Sequence, residues 1–164
     1  MLMENAVPWG IPERCLTKLG YVNDALGIFS LMPKHDQCSW NSIIYGFAQQ
    51  NRFNEALHYF VRIQGDDFVL NEYSFGSALN ACSGLKEVIL GAQIHALPKI
   101  RFFSNVYMGS ALVDMHGKCG NQNGQTSAAL QVFLRMMDSG IEPDELTLAS
   151  VVSACALKVE MWEK

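Results

Sequence analysis

The chain has 164 residues, of which 49% are hydrophobic and 17% are charged, the composition of a protein that folds around an apolar core. Its longest apolar runs are about one helical turn, whereas a membrane-spanning helix needs about 20 apolar residues, so we expect no membrane span. The 12 basic and 16 acidic residues give a net charge of −4, which disfavours the excess of positive charge that strong phosphate binders usually carry.

The residue types that usually carry catalysis or bind metals are scattered along the chain. The five cysteines are spread singly, without a Cys-x-x-Cys pair or a secretory signal, so we expect reduced thiols in a non-oxidising compartment. The four histidines stand apart, and no Gly-rich phosphate loop follows a strand. The sequence therefore predicts no enzyme, metal site, cofactor or small-molecule substrate.

The first residues interrupt the helical pattern of the rest of the chain. Pro8 and Pro12 lie where a first helix would run, and a proline inside a helix removes a backbone hydrogen bond. We therefore expect residues 1–13 to be divergent and disordered. Nothing in this segment resembles a secretory signal or an organelle presequence rich in Arg and Ser.

One apolar pattern, Ala-Leu-x-x-Phe-x-x-Met/Ile, occurs at residues 25–32, 56–63 and 129–136. Its spacings of four and then three residues place the Ala, Phe and Met or Ile side chains on one face of a helix. Asn or Ser stands before each copy and favours a helix start. The pattern predicts three equivalent helices.

A second kind of helix precedes the second copy of this pattern. Trp40, Ile43, Ile44 and Phe47 form one apolar stripe, and the polar residues 49–53 follow as a turn. The segment therefore predicts a helical hairpin. Its apolar side chains are expected to form the core between stacked hairpins rather than a ligand pocket.

Two distant segments align without a gap. Residues 71–83 match residues 144–156 at an offset of 73, and Leu57 and Leu130 are separated by the same offset. Two hairpins fit into this distance, so the repeat length is in the mid-thirties. The sequence therefore predicts an all-α fold of stacked helix-turn-helix repeats.

Several segments resemble repeats of the pentatricopeptide repeat (PPR) family. Residues 36–57 look like its standard repeat, and residues 140–144 resemble the end of such a repeat. Residues 79–83 together with 91–95 resemble the long variant, and residues 111–120 resemble the short variant. The alternation of these types is similar to the land-plant PLS subclass, many of whose members direct organellar RNA editing.

The resemblance implies a right-handed superhelical solenoid and a register for its repeats. On this register the chain is a fragment of a longer array, truncated inside its last repeat. The expected segments are the end of a short repeat at 14–36, a standard repeat at 37–71, a long repeat at 72–105, a composite repeat at 106–144 and an incomplete long repeat at 145–164.

Two departures from the family pattern give structural expectations. A short, a standard and a long repeat would together take about 100 residues, but the observed offset is 73. We therefore expect one composite hairpin, with antiparallel helices near 107–117 and 126–138 joined by a longer turn. Pro98 predicts that the preceding helix ends near Leu97 and that residues 98–105 form an irregular loop.

The resemblance also implies which side chains contact RNA. The family reads about one base per repeat, with one side chain from the first turn of the first helix and one from the last residue of the repeat. The implied pairs are Asn41 with Asn71, Gly76 with Asn105, and Ser110 with Asp144. Asn with Asn implies a pyrimidine, and Ser with Asp implies guanine. The alternative is that these polar residues satisfy backbone amides at helix starts, and for Gly76, which has no side chain, this alternative is favoured.

By resemblance, the expected function is single-stranded RNA binding with a role in C-to-U editing-site recognition or RNA processing. The implied partners are RNA and other RNA-editing proteins, and the implied location is the mitochondrion or chloroplast. One alternative is a protein-interaction scaffold like the related tetratricopeptide hairpins, which the acidic charge favours. Another is a truncated gene product without function.

Overall fold

The computed structural model describes residues 10–65, 70–97, 105–120 and 126–160, and every regular element in these ranges is an α-helix. The helices divide into two compact units, residues 1–69 and 70–164. Within the described ranges, no helix combines the length and apolar character needed to cross a membrane. The predicted all-α class is confirmed.

The first unit contains four helices, α1 (Gly10–Lys18), α2 (Val22–Leu31), α3 (Gln37–Gln49) and α4 (Phe53–Gly65). Helix α3 packs against α1, α2 and α4. The predicted stripe is confirmed as core, since Trp40, Ile43, Ile44 and Phe47 are all buried. In this unit the Ala, Phe and Met or Ile positions of the repeated pattern are buried, at Ala25 and Phe29 of α2, Met32 directly after it, and Ala56, Phe60 and Ile63 of α4.

The start of the first unit differs from the sequence prediction. Residues 10–13 were expected to be disordered, but they form the beginning of α1. Pro12 lies in the first turn of this helix, where backbone N–H groups have no intrahelical partner, so its missing N–H costs no hydrogen bond. Residues 1–9, the rest of the segment predicted to be disordered, lie outside the described residues.

The second unit contains α5 (Glu72–Leu85), α6 (Val88–His95), α7 (Val106–Gly120), α8 (Thr126–Asp138) and α9 (Glu145–Glu160). Helix α7 is central and packs against the other four helices. Its buried side chains Met108, Leu112, Val113 and Met115 form the middle of this core. The two helices expected for the composite hairpin are present as α7 and α8, and they pack on each other.

Helix α6 ends at His95, two residues before the predicted end near Leu97. The loop predicted at 98–105 lies outside the described residues except for Asn105. Helices α3, α5, α7 and α9 begin at residues 37, 72, 106 and 145, the first residues of four of the expected segments. The division into repeats itself stays a prediction.

Candidate nucleic-acid interface

The residues predicted to end three repeats all cap the helix that follows them. Asn71 Oδ1 accepts hydrogen bonds from the backbone N–H groups of Tyr73 and Ser74 at the start of α5. Asn105 Oδ1 accepts from the N–H of Met108 at the start of α7. These bonds satisfy amides that have no partner inside the helix. Asn71 and Asn105 therefore satisfy backbone amides at helix starts, which is the alternative role expected from the sequence.

Asp144 caps α9 in the same way and also contacts α7, the first helix of the preceding segment. Its Oδ1 accepts from the N–H of Thr147 at 2.8 Å, and it lies 3.0 Å from Oγ of Ser110 on α7. The structure therefore brings together Ser110 and Asp144, which are 34 residues apart in the sequence. The Ser110 side chain is buried, whereas Asp144 is exposed.

Thr147 belongs to the same cluster, although the sequence analysis did not identify it. Its hydroxyl lies 2.5 Å from Ser110 Oγ and 2.5 Å from Asp144 Oδ1. Burial raises the pKa of Asp144, but the hydrogen bonds from Thr147 and Ser110 outweigh this effect and lower the pKa below its ordinary value. Asp144 is therefore an ionised, oriented carboxylate at the start of α9. Its position three residues before Thr147, as in a capping motif, was the available sequence signal.

The other two predicted pairs are placed differently. Asn41 lies half-buried in α3, in the first unit, while Asn71 belongs to the second unit, so their pairing stays a prediction. Gly76 is buried in α5, and the ring of Tyr107 on α7 lies against it. The hydroxyls of Ser77 and Tyr107 are 3.2 Å apart.

A buried carboxylate on α7 links this helix to α5 and α9. Asp114 on α7 accepts a 2.7 Å hydrogen bond from Ser83 on α5 and a 2.9 Å bond from Ser150 on α9. Lys118 forms an ion pair with Asp114 at 2.8 Å and leaves 59% of its own side chain exposed. This network fixes α5 and α9 against α7, and the sequence analysis did not identify it.

A shallow cleft of about 260 Å³ lies between α7 and α9 beside this network. Its lining is mixed, with Asp114, Lys118 and Ser150 next to Leu146 and Ala149. Within the part of the chain that the structure describes, no group of three or more His, Cys, Asp or Glu side chains could hold a metal ion. The polar groups of this surface are suited to hydrogen bonding and ion pairing.

Comparison with protein families and curated proteins identifies relatives. The family model described as PPR repeat matches residues 14–36, 38–68 and 121–141. The pentatricopeptide repeat-containing protein At2g13600 of Arabidopsis thaliana is 47% identical over 136 residues, covering 66% of this chain and 20% of that protein. At2g03880 of the same plant, named as mitochondrial, is 34% identical over 166 residues, covering 85% of this chain and 26% of that protein. The chain thus spans about a quarter or less of the length of these two relatives.

The fold also matches solved structures. The crystal structure of the pentatricopeptide repeat protein PPR10 in complex with an 18-nt psaJ RNA element superimposes with a TM-score of 0.60 at 19% identity. The match covers 94% of this chain and 28% of that chain, and it confirms the predicted solenoid class of helix-turn-helix repeats. With these matching repeats and relatives, the chain belongs to the PPR repeat family.

Proposed function

We propose that the chain binds single-stranded RNA at the starts of the first helices of its hairpins. Asn41, Asn71, Asn105, Ser110 and Asp144 are the side chains that we assign to base reading, with Ser110 acting through its hydrogen bond to Asp144. The observation that carries this proposal is the hydrogen bond between Ser110 and Asp144, because it joins two residues implied as one base-reading pair. The relation to PPR10, which was solved with an RNA element, supports RNA binding.

The chemistry of the Ser110–Asp144 pair suits guanine. The Watson–Crick edge of guanine presents two adjacent N–H donors, and an ionised carboxylate only accepts hydrogen bonds. Because Oδ1 of Asp144 already accepts from Thr147 and Ser110, Oδ2 is the oxygen that would accept from the base. Asp144 is exposed and has a lowered pKa, so it is ionised at neutral pH and can form charge-assisted hydrogen bonds. Ser110 is buried beneath it and, with Thr147, holds the carboxylate in one orientation. In this proposal Asp144 contacts the base and Ser110 positions Asp144.

The asparagines would act through their amide groups. An asparagine side chain both donates and accepts hydrogen bonds, as the Watson–Crick edges of pyrimidines do. The caps at α5 and α7 fix Oδ1 of Asn71 and Asn105 toward the helix starts and thereby orient these amides. We assign Asn41 with Asn71 to a pyrimidine.

The repeat boundaries are part of the proposal, with segments 14–36, 37–71, 72–105, 106–144 and 145–164. The length of the alignment with At2g03880 agrees with a merger of two repeats. The alignment runs over 166 residues, which is longer than this chain, although it includes only 85% of the chain. The relative therefore carries residues that this chain lacks, as expected where two repeats have merged into one.

The wider role follows from the family. We propose that this array belongs to the PLS subclass and is a fragment of a longer array, and that it recognises sites of organellar RNA editing or processing. Other RNA-editing proteins are its proposed partners. The mitochondrion is supported by the name of At2g03880, and the chloroplast is an alternative that rests on the sequence resemblance alone. The proposed activity is recognition rather than catalysis.

A protein-interaction scaffold is the second candidate, because the net charge of −4 disfavours phosphate binding. Fluorescence anisotropy with short labelled single-stranded RNAs, at low and moderate salt, separates the two. RNA binding predicts measurable affinity that falls as salt rises, whereas a folded protein without affinity even at low salt would favour the scaffold. Circular dichroism of the same samples shows whether the protein is folded.

Substitutions at Asp144 test the base contact itself. Asp144→Asn keeps a helix cap but replaces one acceptor oxygen by a donor, so we expect the preference for guanine at one nucleotide to be lost. Asp138→Asn makes the same change at an exposed carboxylate at the end of α8 and should leave base preference unchanged. An unchanged preference in both variants would contradict the role of Asp144.

A further inference from the structure

Two neighbouring helices carry different residues at the same position. Ser110 is the fifth residue of α7, and Gly76 is the fifth residue of α5. Ser110 bonds to Asp144, the cap of α9, which is the first helix of the following segment. Gly76 has no side chain to bond to the corresponding cap, Asn105. The place that a side chain would take is instead filled by Tyr107.

The fit between Gly76 and Tyr107 excludes any larger residue at position 76. A Cβ atom built on Gly76 would lie 2.7 Å from Cδ1 and 3.2 Å from Cζ of the Tyr107 ring. These atoms belong to a rigid ring rather than to the end of a flexible chain. The ring is held by the contact of its hydroxyl with Ser77, at 3.2 Å, and by Tyr73, whose ring centroid is 5.9 Å away. The glycine and the tyrosine therefore depend on each other.

We propose that Tyr107 closes the base-reading position of segment 72–105, so that this segment accepts any base. This inference rests on the proposed RNA binding and deepens it, because it predicts one unspecified nucleotide between two specified ones. A base at this position would meet the ring of Tyr107 and a single polar group from Asn105 instead of two paired polar side chains. The cap holds Oδ1 of Asn105 on the N–H of Met108, so the base would meet its Nδ2 donor alone, and the Watson–Crick edge of every base has an acceptor for one donor.

The experiment is a selection from randomised single-stranded RNA with the whole chain. Asn71→Ala and Asp144→Ala each mark the nucleotide whose preference they erase, and the nucleotide between the two marks faces segment 72–105. We expect the unmodified protein to enrich no base there by more than about twofold, in contrast to the discrimination that a paired polar contact gives. Tyr107→Phe keeps the ring and should not change this result.

A double variant reopens the position. Gly76→Asn with Tyr107→Val removes the ring and rebuilds the Asn–Asn combination proposed for Asn41 with Asn71. We expect this variant to enrich pyrimidines at the middle nucleotide by about fivefold or more, while Tyr107→Val alone should not. Circular dichroism checks that each variant is folded.

The outcomes distinguish the two proposals. If the unmodified protein specifies the middle nucleotide as strongly as the marked ones, the inference about Tyr107 fails while RNA binding stands. If the folded double variant binds RNA without any new preference, the inference also fails. If the folded unmodified protein binds no RNA, the proposed function fails and this inference fails with it. If the double variant does not fold, base enrichment at the middle nucleotide in the unmodified protein and in Tyr107→Phe decides the inference.

Discussion

Nδ1 of His95 on α6 lies 3.2 Å from Nε2 of His116 on α7, and the two ring centroids are 5.3 Å apart. One nitrogen must donate and the other must accept, so this contact holds a single proton. Burial and then the proximity of His95 lower the pKa of His116 to about 4. Burial also lowers the pKa of His95, and Arg135 lowers it further.

This pair predicts that acid destabilises the second unit. An unfolded imidazole binds its proton near pH 6.5, whereas folded His116 does so only near pH 4, so the unfolded state binds more protons between these values. The contribution of the uncharged pair to the free energy of unfolding is therefore complete above about pH 6.5 and is lost as the pH falls toward 4. We expect the free energy of unfolding to fall on the order of 2 kcal/mol between pH 7 and 4.5, measured by urea denaturation with circular dichroism.

The control for this prediction replaces both rings. The double variant His95→Gln, His116→Gln has no group that titrates at this contact, so its stability should change less over the same pH range. Arg135, the charged group that acts on His95, is retained in both proteins. An equally steep loss in the double variant would assign the pH dependence to other groups.

The cap that Asp36 forms at the start of α3 should stabilise the first unit. Its carboxylate accepts a 2.7 Å hydrogen bond from the N–H of Ser39, and the Ser39 hydroxyl accepts from the N–H of Asp36, which completes a capping box at the start of α3. Asp36→Ala should destabilise the unit by about 1 kcal/mol, seen as a lower thermal midpoint. Asp36→Asn keeps a capping side chain and should cost less, and equal losses in the two variants would contradict the capping role.

The core and the helix starts could be predicted from the sequence because both depend on local spacing. The stripe from Trp40 to Phe47 follows the helical period, and its residues are buried as expected. Asn71 and Asp144 stand before helices because short polar side chains satisfy the first backbone amides. The start of α1 was mispredicted because Pro12 was taken as a helix interruption, whereas it occupies a first turn.

The contacts between helices could be predicted only in part. The family resemblance implied Ser110 with Asp144, and the structure places them within hydrogen-bond distance. The contact of Tyr107 with Gly76 depends on how closely α5 and α7 approach and on one side-chain rotamer, and no sequence spacing encodes either. The contact between His95 and His116 depends on the packing of α6 against α7 in the same way.

Substitution of Leu112 should show how strongly the stability of the second unit depends on its central helix, α7. The side chain is completely buried in α7, so Leu112→Ala removes apolar contacts and leaves a cavity. We expect a loss of about 2–5 kcal/mol in the free energy of unfolding by urea denaturation. Leu134→Ala makes the same change at a residue of α8 that is 59% exposed, and it should cost less than about 0.5 kcal/mol. Similar losses in both variants would show that α7 is not the centre of this core.

Asp114 gives the prediction that bears most directly on how the helices are held in register. Asp114→Ala removes the acceptor of the hydroxyls of Ser83 and Ser150, and both bonds are buried. Because the hydroxyls would lose their acceptor, we expect a loss of about 2–4 kcal/mol in the free energy of unfolding, measured by urea denaturation. Asp114→Asn keeps one acceptor oxygen and should lose about half as much.

The matched control is Asp138→Ala, which removes an exposed carboxylate of the same unit and should change stability by less than about 0.5 kcal/mol. RNA affinity adds a second measurement, because the network of Asp114 joins α7 to α9, and the starts of these helices carry Ser110 and Asp144. If the network positions that pair, Asp114→Asn should weaken guanine preference under conditions where the protein remains folded. A destabilised variant that keeps its full guanine preference would limit Asp114 to a role in stability.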